Sequence, residues 1–193
     1  HCGICHSDVH LISNDWGISQ FPFIPGHEII GTVTAIGSEV RAFKVGQRVG
    51  LGWQSDSCGE CEWCTRGMEN LCASLEATCV HRNGGYANRV RANARFVIAI
   101  PDALDSEQAA PLLCGCITTF NPLRNSGARA GDLVGIMGLG GMGHLGVQFA
   151  SRMGFRTVAI ARGAEKGPLA KKLGAQLYIN STAQNPAEEL TRL

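Results

Sequence analysis

Short runs of β-branched and apolar residues broken by glycine fill the first half of the chain, and the period lengthens after Pro101. In residues 21–50 the runs Ile29-Ile30-Gly31-Thr32-Val33-Thr34-Ala35-Ile36 and Gln47-Arg48-Val49 predict short strands of a compact, barrel-like β domain. Residues 53–79 show little periodicity and read as a loop. Strand character returns over 85–100, ending in Phe96-Val97-Ile98-Ala99-Ile100 before Pro101. Asp105 or Ser106 then offers a cap for a helix through Glu107-Gln108-Ala109-Ala110 towards Cys114, which Pro111 breaks or kinks. From Gly131 strand and helix alternate: strand 133–137, a glycine-tolerant helix 142–153, strand 157–161, helix 165–173, strand 177–179. That succession predicts a parallel βαβαβ unit. The boundary between the β part and the α/β part falls between Ile100 and Gly131.

Composition narrows the function classes. With 45% hydrophobic residues the 193-residue chain has ample apolar side chains for a core. Lys+Arg 17 against Asp+Glu 16 leaves a net charge of +1, which argues against broad electrostatic capture of nucleic acid or an anionic membrane. No run approaches the roughly 20 apolar residues of a membrane span. The opening HCGICHSDVH has neither the basic nor the apolar region of a signal peptide, so a cytoplasmic location is expected. The chain starts without Met and stops mid-pattern at EELTRL, which reads as an internal piece of a longer protein.

The nine cysteines are clustered, which in a reducing compartment points to thiolate metal ligands. Cys58, Cys61, Cys64 and Cys72 follow C-x2-C-x2-C-x7-C. Four soft ligands so spaced can close a tetrahedral shell around zinc, a structural site with no position left for substrate. An iron–sulfur cluster is the rival, since ferredoxin-type runs also open C-x2-C-x2-C, but their fourth cysteine comes sooner and precedes proline. Here Ala73 follows.

Gly138-Leu139-Gly140-Gly141-Met142-Gly143 follows a predicted strand and opens a predicted helix, the context in which G-x-G-x-x-G cradles a dinucleotide pyrophosphate. At the end of the second strand, where NAD-binding units tend to carry an acid, stands Ala161, followed by Arg162, a guanidinium able to grip a 2′-phosphate. The reading leans to NADP over NAD, with Glu165 and Lys166 close enough to complicate it. Cys5, His27 and Cys114 are far apart in sequence, and each taken singly has an ordinary explanation as a buried thiol or a satisfied imidazole.

The strings CGICHSDVH, FPFIPGHEIIGTVTAIGSEVRAFKVGQRVG, PLLCGCITTFNPL and GLGGMGHLGVQFA, in this order with the cysteine loop among them, resemble the zinc-dependent medium-chain alcohol dehydrogenases. Within that family the likeness is to the cinnamyl-alcohol-dehydrogenase-like and microbial branch. The resemblance implies a GroES-like β-barrel catalytic domain over 1–115 and a partial Rossmann domain over 116–193, one truncated at its start and the other at its end. It implies two zinc ions per subunit, a catalytic one held by Cys5, His27 and Cys114 and a structural one in the cysteine loop.

Further roles follow by resemblance. Asp8 supports the zinc-bound imidazole, and Glu28 is a carboxylate able to approach the metal. Ser7 contacts the alcohol oxygen, and His10 ends a proton relay. His6 and Thr118 lie near the cofactor, Trp53 in the substrate pocket, while Cys2, Cys79 and Cys116 have no ligand role. The implied activity is reversible hydride transfer between a small-molecule alcohol and NAD(P), giving aldehyde or ketone, in a homodimer or homotetramer. A zinc-free quinone or enoyl reductase of the same superfamily is one alternative. A non-catalytic zinc or iron–sulfur module that binds protein or nucleic acid is another.

Overall fold

The first helix starts at a carboxylate. In α1 (His6–Ser13) Asp8, the third helical residue, accepts the N–H of Cys5 at 3.0 Å, the returning arm of a capping box. The helix ends at Asn14 in the left-handed conformation (φ 53°) that asparagine tolerates. Periodicity did not predict α1, because its N-cap is a cysteine instead of Ser or Thr.

The computed structural model describes residues 1–193, which divide into two units, His1–Cys114 and Gly115–Leu193. The first unit continues with β1 (Ile29–Thr32), β2 (Arg48–Leu51), β3 (Gln54–Asp56), the helical turn α2 (Glu62–Thr65), β4 (Glu76–Ala77), β5 (Val97–Ala99) and α3 (Ser106–Ala109). β1, β2 and β5 form an antiparallel sheet in that order, with Ile30 opposite Gly50 and Gly50 opposite Ile98. β3 and β4 make a separate two-stranded ribbon.

Two strand expectations come out shorter. β1 stops at Thr32 instead of running to Ile36, with Val33 bonded to Gln47 and Gly46 where the chain loops back. Residues 85–93 form no strand. The N–H groups of Gly84, Gly85 and Tyr86 go to the carbonyls of Ile24, Gly26 and Pro25, at 2.6, 2.7 and 3.0 Å, so this stretch is a strap laid on a loop.

Ile30, Ile100, Ala109 and Ala110, with Leu113 against them, form the core beside the first sheet. Pro111 ends α3 and tightens the chain into a 3₁₀ turn, Ala110–Leu113. That turn lies directly on β2: a Cβ at Gly50 would sit 2.7 Å from Leu113 Cδ1, and one at Gly52 2.6 Å from the Leu113 carbonyl oxygen. Close approach here delivers Cys114 to the end of the sheet.

The second unit runs α4 (Gly115–Asn125), β6 (Leu133–Met137), α5 (Gly141–Arg152), β7 (Arg156–Ala161), α6 (Gly167–Lys172), β8 (Leu177–Asn180) and α7 (Pro186–Thr191). β6, β7 and β8 are parallel in that order, with Ile136 opposite Ala159 and Ala159 opposite Tyr178. This is the partial Rossmann sheet. β7 is central and buried from Thr157 to Ala161, which explains its unbroken apolar run. Val147 of α5, Ala159 and Ala170 are fully enclosed, and a buried valine contributes about 1.5–3 kcal/mol. α4 and α7 were not predicted. α4 carries Pro122 inside it, and α7 is a short terminal helix capped by Asn185. No helix is long and apolar enough to cross a membrane.

Candidate metal centres and nucleotide cradle

His27 lies just before β1 with its side chain fully buried, and its two ring nitrogens face different partners. Nδ1 is 3.2 Å from Asp8 Oδ1, and Nε2 is 3.3 Å from Cys114 Sγ. Cys5, the N-cap of α1, brings its sulfur to 3.9 Å from that of Cys114. The ligand atoms of Cys5, His27, Glu28 and Cys114 all fall within 4.8 Å of one another. Around tetrahedral zinc, ligand lengths near 2.3 Å for sulfur and 2.0–2.1 Å for nitrogen imply separations of about 3.8 Å (S–S) and about 3.6 Å (N–S). The donor set fits such an ion. Cys114 joins this group and Cys116 does not.

Asp8 is the organiser. Its Oδ1 accepts from Gly26 N–H at 2.9 Å and faces His27 Nδ1; its Oδ2 accepts from Cys5 N–H at 3.0 Å and lies 3.1 Å from the Tyr86 hydroxyl. Burial works against its charge, yet the His27 hydrogen bond and the two backbone N–H groups hold its carboxyl below the usual range. With Asp8 accepting, Nδ1 carries a proton, which leaves Nε2 as the nitrogen that would give up its own proton to an ion among the sulfurs. Burial disfavours charge on His27 as well, but Asp8 and the Cys114 and Cys79 sulfurs prevail and push its pKa up. At Cys5 burial is again outweighed, by the Ser7 backbone N–H and hydroxyl and by His27, which favours the thiolate.

The remaining residues singled out from the sequence are placed as follows. Ser7 contacts Cys5. His10 bonds Asp15 at 2.7 Å and meets exposed His6 edge-on, their rings 4.7 Å apart. The Trp53 ring meets the His27 ring edge-on at 5.1 Å. Two neighbours escaped sequence reasoning. Cys79, in a left-handed conformation (φ 70°), puts its sulfur 3.8 Å from His27 Nδ1 and 3.9 Å from Asp8 Oδ1. Tyr86 reaches Asp8 from the strap. No spacing or period signals either contact.

In the second cluster the sulfurs of Cys58, Cys61, Cys64 and Cys72 lie within 4.8 Å of one another, with Cys58 3.8 Å from Cys64 and 3.6 Å from Cys72. These are the separations of a single tetrahedral ion, and too close to surround a multi-iron cluster. The Glu60 and Cys61 N–H groups pull the Cys58 thiol down to about 6. Cys61 is pushed up to about 11, since burial and the neighbouring sulfurs outweigh the Cys64 N–H.

The glycine loop opens α5. Gly138 takes φ +86°, which turns the chain out of β6. A Cβ at Gly143 would lie 1.7 Å from the Gly138 carbonyl oxygen, so helix and loop meet backbone to backbone. At Gly140 and Gly141 a Cβ would meet nothing, which leaves open space over the helix N-terminus for a phosphate group. Thr118 lines a cavity of about 230 Å³ with Met137, Met142 and Gly143. Ala161 ends β7 buried, Arg162 is exposed, and the Glu165 carboxylate folds back over Gly163.

Comparison with known proteins agrees in both units. Residues 1–102 match the profile of the alcohol dehydrogenase GroES-like domain, and residues 141–193 that of the zinc-binding dehydrogenases. An alcohol dehydrogenase from Geobacillus stearothermophilus is 44% identical over 190 residues, 98% of this chain and 56% of that protein. The structure of a cinnamyl alcohol dehydrogenase from Sorghum bicolor superposes with TM-score 0.88 at 37% identity, over 99% of this chain and 56% of that one. A cinnamyl alcohol dehydrogenase from Helicobacter pylori complexed with NADP(H) gives 0.87 at 35%, over 92% and 54%. The chain thus spans about half the length of the relatives it matches.

Proposed function

Because the chain belongs to the alcohol dehydrogenase family with a GroES-like domain, we propose that the whole protein is an NADP-preferring zinc alcohol dehydrogenase. It would interconvert a primary or secondary alcohol with its aldehyde or ketone. One observation carries this reading: Cys5, Cys114 and the Nε2 edge of His27 converge with ligand spacing in a chain that also holds a separate four-cysteine cluster.

Cys5, His27 and Cys114 would hold the catalytic ion, and Cys58, Cys61, Cys64 and Cys72 the structural one. Zinc bound at the first site supplies Lewis acidity to an alcohol or carbonyl oxygen. Asp8 keeps the His27 tautomer that frees Nε2. Glu28, buried with its carboxylate within 4.8 Å of the other three ligand atoms, can exchange with water there. The Ser7 hydroxyl would take the proton an alcohol loses, and His10, which bonds Asp15, would pass it to solvent. The open space over Gly140 and Gly141 would take the pyrophosphate, with His6 and Thr118 as further contacts to the cofactor. Arg162, free in solvent where β7 ends without an acid, would favour the 2′-phosphate of NADP. Trp53 would border the substrate. A cytoplasmic homodimer or homotetramer accords with this reading.

The test is metal content and turnover of the full-length protein. Wild type should hold two zinc ions per chain and reduce NADP with an alcohol panel. Cys5→Ser should keep one zinc and lose turnover. A single zinc in wild type, with full activity in Cys5→Ser, would overturn the reading.

A further inference from the structure

Four N–H and O–H donors converge on the Asp8 carboxylate, with the weakly donating Cys79 thiol farther off at 3.9 Å, and one of the four comes from outside the ligands and their neighbours. Cys5 N–H, Gly26 N–H and His27 Nδ1 belong to the ligands or their immediate neighbours, whereas the Tyr86 hydroxyl arrives from the Gly84–Tyr86 strap at 3.1 Å. An ionised carboxylate offers about four lone-pair positions, so with Tyr86 in place Asp8 is fully satisfied in a site with 1% exposure. Without it, Oδ2 keeps only the Cys5 N–H and the carboxylate can rotate away from His27.

The strap is built to hold that phenol still. Its three consecutive N–H groups bond the carbonyls of residues 24–26, the loop that leads into His27. Gly84 permits this, since a Cβ there would lie 2.3 Å from the Gly26 carbonyl oxygen. The Tyr86 ring in turn rests on Gly26 (φ +96°), where a Cβ would sit 2.7 Å from Tyr86 Cδ1. The hydroxyl is also 3.1 Å from the Gly3 carbonyl oxygen, but it has one proton, and an anionic carboxylate is the stronger acceptor. Burial and the Asp8 charge keep that proton on the phenol.

We propose that Tyr86 is a positioning residue of the Cys5–His27–Cys114 centre: its hydroxyl locks the Asp8 carboxylate so that Oδ1 stays on His27 Nδ1 and Nε2 stays turned to the sulfurs. The inference rests on the metal-site reading given under the proposed function. Tyr86 acts through Asp8: its hydroxyl meets Asp8 and the Gly3 carbonyl, not a ligand sulfur.

The experiment loads full-length wild type and Tyr86→Phe with cobalt(II), recording the visible spectrum of the Cys5 site and its cobalt affinity against a chelator. The ring is 40% exposed and the substitution removes only the hydroxyl, so the fold should persist. Tyr86→Phe is expected to weaken cobalt at the Cys5 site about tenfold, as outer partners of metal ligands do, and to shift its ligand-field bands. The four-cysteine site should not change. A second variant carries 3-fluorotyrosine at position 86, measured at a pH where the phenol is protonated. As a stronger donor it should match or exceed wild-type affinity, and it decides the matter if Tyr86→Phe does not fold. Unchanged spectrum and affinity in Tyr86→Phe, or affinity lost in the fluorotyrosine protein, overturns the inference alone. A wild type that takes up only the four-cysteine ion overturns the metal-site reading as well.

Discussion

Asp8 Oδ1 stands 3.2 Å from His27 Nδ1 in a site where both side chains are almost wholly enclosed. Asp8→Asn keeps the shape but removes the charge and turns one of two accepting oxygens into an NH2 group facing other donors, so the His27 tautomer is no longer fixed. Zinc affinity at the Cys5 site, or kcat/KM of the full-length enzyme, should fall about 10–100-fold. Isothermal competition against a chelator measures the first and steady-state kinetics the second.

The same carboxyl carries a pH signature in metal-free protein. Its folded pKa is depressed, so it stabilises the fold at neutral pH and loses that contribution as pH falls below the unfolded value of about 3.9 and through the folded pKa. The gap in urea midpoint between wild type and Asp8→Asn should be widest near pH 7 and close in acid. A gap that widens on acidification contradicts the assignment.

In the four-cysteine loop the thiols differ before metal arrives. Cys58, at about 6, is already a thiolate at pH 7, whereas Cys61, at about 11, is still protonated. Alkylation of metal-free protein followed by peptide mass spectrometry should mark Cys58, exposed and with its thiol pulled down, ahead of Cys61. Zinc affinity should fall with falling pH, since protons and metal compete for the same sulfurs.

Two glycines of the nucleotide loop should respond in opposite ways. Gly143→Ala pushes a methyl to 1.7 Å from the Gly138 carbonyl oxygen, and should cost at least the roughly 1–3 kcal/mol of an overpacked site. Gly141→Ala meets nothing in the protein, so thermal stability should hold while KM for the dinucleotide rises several-fold. Thermal melts paired with cofactor titrations separate the two.

Arg162 sets up a test on the full-length protein, the choice of cofactor. Replacing it by Gln removes a charge-assisted grip on a 2′-phosphate and should lower kcat/KM for NADP about tenfold, with NAD little affected. An equal loss with both cofactors would remove Arg162 from that role.

What was legible in the sequence depended on distance along the chain. The βαβαβ unit was readable because β7 is a continuous apolar run and the glycines sit between strand and helix, both local signals. The four-cysteine centre was readable because its ligands span residues 58–72. Cys5, His27 and Cys114 come together only through α1, the approach to β1 and the turn packed on Gly50 and Gly52, and resemblance alone pointed to them. α1 escaped because Cys5 is an unusual cap, α4 because Pro122 interrupts it, and Tyr86 because a phenol in a glycine-rich strap has no period to follow.

The carboxylate that caps the first helix is also the one that steadies the imidazole. Ordering of that helix and binding of an ion among Cys5, His27 and Cys114 should therefore reinforce one another. Amide hydrogens across this short segment should exchange markedly more slowly once the ion is in place, and a glycine set into its solvent-facing side should speed metal escape without touching a ligand.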